Sequence, residues 1–89
     1  MILSPTISRV LETFAAGQPV PQPLIDFVRP FFLKNDPANG AEQFADILAD
    51  PATDAHQNKL KHVLRDQLAG NEEGVEKLLT LLPVPPSRS

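Results

Sequence analysis

The sequence predicts an all-α fold, a small bundle of about five short helices ending in a C-terminal αα-hairpin. Three observations carry this expectation. Apolar residues recur at i, i+3 and i+4 within successive segments, prolines and glycines fall between those segments, and no segment alternates apolar and polar residues with strand period. The chain of 89 residues has the size of one small domain. We read residues 1–82 as a single helical domain and 83–89 as a proline-rich tail or the start of a linker.

The first helix opens at Ser4-Pro5, a capping residue followed by a proline whose fixed φ suits the first turn, and it ends at Gly17. Ile7, Val10, Leu11 and Phe14 form its apolar stripe. Gln18 to Pro23 is rich in proline and should run extended. Pro23 fits the first turn of the second helix, whose apolar residues Leu24, Ile25, Phe27, Val28, Phe31, Phe32 and Leu33 cover more than one stripe. That surplus predicts the most buried helix of the five. Pro30 removes an amide from it and crowds the carbonyl of Asp26, so the helix should kink or restart there.

Asn35 to Gly40 is connector chemistry, and Asn39 with Glu42 three residues on predicts a capping box. Phe44, Ile47 and Leu48 mark a short third helix, closed before Pro51. Asp50-Pro51 repeats the cap-then-proline pattern for the fourth, with Leu60, Val63, Leu64 and Leu68 on one face and Gly70 as the stop. Asn71 caps the fifth, where Val75, Leu78, Leu79 and Leu82 repeat the spacing until Pro83. The short Gly70-Asn71 joint turns the last two helices back on each other, and the first half of the chain covers their leucine faces.

Composition narrows the function classes. No cysteine is present, which removes disulfides and thiolate chemistry. The aromatics are five phenylalanines with no Trp or Tyr, a poor stacking platform for bases or sugars. The net charge is −3, and the acidic excess lies beyond Asp36, while Arg9, Arg29 and Lys34 outnumber Glu12 and Asp26 before it. This balance disfavours phosphate backbones. No apolar run suits a bilayer and the first residues lack a signal-peptide pattern, so a cytoplasmic location is the default expectation.

Candidate chemistry is sparse. His56 and His62 lie six apart, on different faces of one helix, and cannot share a metal by themselves. His62 with Asp66, and Glu73 with Lys77, are i, i+4 surface pairs. Asp46, Asp50 and Asp54 are interrupted by Pro51 and match no calcium loop. Ser4, Thr6 and Ser8 have no neighbouring histidine, and the glycines are scattered singly. We therefore expect no catalytic residues, no metal, no cofactor and no small-molecule substrate. Lys59, Lys61 and Arg65 make a basic strip that could touch an acidic partner or phosphates. The tail Pro83-Val84-Pro85-Pro86-Ser87-Arg88 fits a P-x-x-P-x-Arg ligand for an SH3-type groove, and equally a stiff linker.

The segments Leu48-Ala-Asp-Pro-Ala-Thr-Asp-Ala, Leu60-Lys-His-Val-Leu-Arg-Asp-Gln-Leu-Ala-Gly-Asn and Val75-Glu-Lys-Leu-Leu carry a resemblance. Over residues 47–82 the chain resembles the helical effector-associated and death-domain-like adaptor modules of bacterial signalling and defence proteins. The resemblance implies a non-catalytic adaptor that pairs with its own kind or with a matching helical module on a partner, and stands at the N-terminus of a larger effector. A small nucleic-acid-binding transcriptional regulator is the alternative. An adaptor acts through its surface, so apolar residues left over after the core is filled are its candidate contacts. Val28, Phe31, Phe32 and Leu33 near Pro30, and Leu81 off the stripe of the last helix, are those candidates beside Lys59, Lys61 and Arg65.

Overall fold

A computed structural model of the chain describes residues 3–17 and 19–82. The expectations for residues 83–89 lie outside them. Five helices follow one another, α1 (Leu3–Ala15), α2 (Gln22–Asn35), α3 (Gly40–Ala49), α4 (Asp54–Leu68) and α5 (Glu72–Leu81), with no strand among the described residues. The fold is a small all-α bundle.

Each helix buries the stripe that its apolar spacing marks out. Ile7, Val10 and Phe14 of α1, Leu24, Val28 and Phe32 of α2, Phe44 and Ile47 of α3, and Leu60, Val63, Leu64 and Leu68 of α4 join Val75 and Leu78 of α5 in one core. Three rings tie the first three helices together. Phe44 stands 5.0 Å from Phe32 and 6.3 Å from Phe14 between centroids, within the range of favourable tilted ring contacts. The Arg29 guanidinium lies 5.7 Å from the centroid of the Phe44 ring.

Several boundaries differ from the sequence expectation, each for a local reason. The described part of α1 already includes Leu3 and Ser4, so Ser4 does not cap it and Pro5 follows within the helix. α2 runs unbroken through Pro30, so the expected restart does not occur. Pro30 and Asp26 are both exposed, so the proline lies on the outer face of α2, away from the core stripe. α2 is also not the most buried helix. Its fully buried stripe is Leu24, Val28 and Phe32, while Ile25, Phe27 and Phe31 pack half-buried at its edges.

The caps are redistributed as well. Asn39 precedes α3 but its side chain makes no capping bond. Asp36 does that work instead: its Oδ1 accepts from the Asn39 backbone N–H at 3.2 Å and its Oδ2 from Gln43 Nε2 at 3.2 Å. Asp50 does not open α4. It closes α3, its N–H donating to the Asp46 carbonyl, and α4 starts after Thr53. The intervening turn is clasped from α4, with Gln57 Nε2 donating to the Pro51 carbonyl (2.8 Å) and the Leu11 carbonyl (3.2 Å), and His56 Nδ1 to the Asp50 carbonyl (2.6 Å). Asn71 caps α5 as its sequence position predicts, its Oδ1 accepting from the Gly74 N–H at 3.0 Å. Glu73 and Lys77 are exposed and form no ion pair.

α4 touches every other helix. It packs most extensively against α1, and α2 most extensively against α3. α1 and α4 run antiparallel, because Leu11 meets Gln57 near the start of α4 while Leu3 lies beside Asn58 to Ala69 farther along. Gly70 takes the left-handed conformation (φ +76°) that the short α4–α5 joint needs. The leucine faces of those last two helices meet α1 and α2 more than each other, so the hairpin is one of sequence and joint rather than of a shared interface. At Gly40 the first turn of α3 lies so close to α2 that a Cβ would overlap the Phe32 carbonyl.

Two substitutions test this packing by thermal denaturation. Leu64→Ala, at a fully buried position on the helix that touches all others, should cost about 2–5 kcal/mol. Gly40→Ala places its new methyl against backbone that no rotamer change can move, and should cost about 1–3 kcal/mol or more. Melting temperatures equal to that of the parent chain would show that α4 does not fill the centre or that α2 and α3 do not cross at Gly40.

Candidate functional site

The structure splits the eight candidate contact residues. Val28 and Phe32 are fully buried in the core stripe of α2, which removes them from any contact surface. Leu33 is the large apolar residue that stays exposed among the described residues, at 40 % of its area. Phe31 is half-buried and packs edge-on against Phe27, with centroids 5.2 Å apart and planes at 83°. Leu81 is half-buried against the core.

Helix geometry explains why no continuous patch forms on α2. Neighbours two apart in sequence are about 200° apart around an α-helix, so Phe31 and Leu33 leave the core stripe on opposite flanks. Phe31 shares its flank with Phe27, an i, i+4 aromatic pair that the sequence reading passed over. Leu33 lies on the flank of Arg29 and Asp26, whose side chains approach to 3.9 Å, and beside the first turn of α3, where its Cα faces Gly40. The outcome is one exposed leucine rimmed by an ion pair.

The basic strip is also divided. Lys61 and Arg65, i and i+4 on the outer face of α4, line a shallow open groove with Asn58, His62, Asp66, Ala69 and Leu3 of α1. Lys59 does not line it: two positions from Lys61, it projects to another side of the helix and is half-buried. Within the groove His62 Nε2 lies 3.2 Å from Asp66 Oδ2, with both side chains more than half exposed. The groove therefore carries two cations and an acid. An incoming phosphate would meet the Asp66 carboxylate beside the Lys61 and Arg65 charges. Asn58, not singled out in the sequence, stands one turn before the His62–Asp66 pair on the same i, i+4 face.

Among the described residues no group of three or more His, Cys, Asp or Glu side chains is placed to hold a metal ion. No described helix is long and apolar enough to cross a membrane. Comparison with protein-family models, with curated proteins and with solved structures found no match.

The absence of converging ligand groups gives a direct expectation. Zinc, calcium or ATP at saturating concentration should leave the melting temperature unchanged, since only a ligand that binds the native state raises it. A rise of several degrees with any of the three would place a binding site on the exposed helix faces.

Proposed function

We propose that the chain is a non-catalytic protein–protein interaction module, an adaptor of the effector-associated or death-domain-like kind, serving as the N-terminal part of a larger signalling or defence effector. The observation that carries the reading is Leu33. The buried core forms without it, and its 40 % exposure on α2 leaves apolar area that a partner's pocket would bury. The Arg29–Asp26 pair beside it supplies a polar rim of both signs. The half-exposed Phe27–Phe31 pair on the other flank, with the half-buried Leu81 of α5, offers further apolar area. Leu33 and the Phe27–Phe31 pair lie on opposite flanks, so each would meet a partner helix or a second copy separately.

The alternative, a small nucleic-acid-binding regulator, draws support from Lys61 and Arg65 on one open groove of α4. Two cations next to a carboxylate make few phosphate contacts, and both affinity and its salt dependence scale with the number of contacts. The adaptor reading therefore stands first.

Substitutions separate the two. Leu33→Asp should leave helicity and melting temperature nearly as they are, within roughly 0.5 kcal/mol as for other surface changes, and abolish association seen by sedimentation or partner titration. Phe32→Asp, one residue earlier, should unfold the domain instead, because it buries a charge in the core. Undiminished association in Leu33→Asp, together with nucleic-acid binding lost in Lys61→Glu/Arg65→Glu, would overturn the adaptor reading in favour of the regulator.

A further inference from the structure

The peptide Asn39–Gly40 carries a reaction that the fold holds in check. In an open chain, an asparagine followed by glycine tends to lose its side-chain amide. The glycine nitrogen gives up its proton and attacks the asparagine side-chain carbonyl carbon, ammonia leaves, and a five-membered imide forms. Water then opens the imide to aspartate or to its β-linked isomer. The balance is one water taken up and one ammonia released, and no other reagent is needed. Glycine in second place favours the attack because no side chain shields its nitrogen.

We propose that Asn39 is a latent deamidation site, kept unreactive by the α2–α3 turn and released only when that turn opens. Three features of the turn oppose ring closure. The Gly40 N–H donates to the Asp36 carbonyl at 2.6 Å, which engages the proton that must leave. Asn39 has φ −125° and ψ −2°. A ψ near zero eclipses the nitrogens of Asn39 and Gly40 about the Cα–C bond, leaving Cβ roughly a third of a turn from the nitrogen it must approach. The backbone N–H of Asn39 is itself held by Asp36 Oδ1 at 3.2 Å, so this dihedral is pinned from both sides. Gly40 is buried, which keeps away the base that would take its proton.

The side chain of Asn39 contributes nothing to this protection. It is exposed and makes no capping bond, so its carbonyl carbon is free to react once the backbone rotates. The glycine is not dispensable either, because a Cβ at position 40 would overlap the Phe32 carbonyl. The packing that joins α2 to α3 thus demands the residue that makes Asn39 reactive.

The product does not fit back. A β-linked residue lengthens the main chain by one carbon directly before Gly40, in a turn whose spacing sets the contact with Phe32. Either product adds a negative charge within the reach of Asp36, whose carboxylate already caps this turn. One opening followed by reaction converts a reversible fluctuation into permanent damage at the α2–α3 joint.

The test follows the chain by peptide mass mapping, reading the replacement of NH2 by OH at residue 39 in the folded protein and in denaturant at one pH and temperature. Conversion should be at least about tenfold slower in the folded protein, and should rise in step with exchange of the Gly40 amide as the temperature is raised. Asn39→Gln, which cannot close the five-membered ring, should lose the mass change while keeping its helicity. The purified β-linked form should melt several degrees below the parent. Equal rates in folded and denatured chains, conversion that maps to Asn35, Asn58 or Asn71 instead, or a converted form that melts with the parent would each overturn the proposal.

Discussion

The crossing of α2 and α3 at Gly40 is the contact on which the remaining structure depends. The Phe32 carbonyl accepts the N–H of Asp36 (3.0 Å) as α2 ends, and the space beside it admits only a glycine hydrogen from α3. Because the backbones come this close, Phe44 one turn farther along α3 reaches Phe32 at 5.0 Å and Phe14 of α1 at 6.3 Å. That cluster connects three helices through one ring. A wider crossing would leave voids around Phe44, and dispersion contacts fall away over a fraction of an ångström.

The second half of the chain is arranged on this base. α4 carries the stripe of Leu60, Val63, Leu64 and Leu68 against α1, α2 and α3, and α5 closes the remaining side with Val75 and Leu78. No described helix is self-sufficient: each is short, and short isolated helices are marginal in water. The stability of the bundle lies in the shared core, and the outer faces are left for charge pairs of small value such as Arg29–Asp26.

Helix number, the core stripes and the Asn71 cap were legible in the sequence because each depends on spacing within a few residues. The Val10–Phe14 and Leu64–Leu68 faces needed nothing beyond helical period. What was not legible depends on tertiary placement. Asn39 looks like the better cap on local grounds, yet Asp36 reaches both Asn39 and Gln43 because the chain folds back between α2 and α3. Asp50-Pro51 has the composition of a helix start, but the α3 C-terminus and the side chains of His56 and Gln57 claim its carbonyls first. For the contact surface, the sequence shows that α2 has apolar residues to spare without showing which flank they occupy. Val28 and Phe32 went to the core, and Leu33 was left outside. Gly40 gave no sign of its role, since a glycine between helices is ordinary connector chemistry until the neighbouring backbone is in view.

The side chain of Gln57 reaches the Leu11 carbonyl of α1, 46 residues before it in sequence, and also holds the Pro51 carbonyl of the α3–α4 turn. Surface connections usually tolerate changes in length because lengthening a loop adds little closure entropy. The turn over residues 50–53 is not of that kind. Its backbone is fastened to the same amide that anchors the C-terminal half of α1, so its length is set by the docking of a helix with which it shares no neighbouring sequence. A residue inserted in this four-residue turn would draw the Pro51 carbonyl away from Gln57 or shift α1 with it, a coupling that the composition of the turn alone does not reveal.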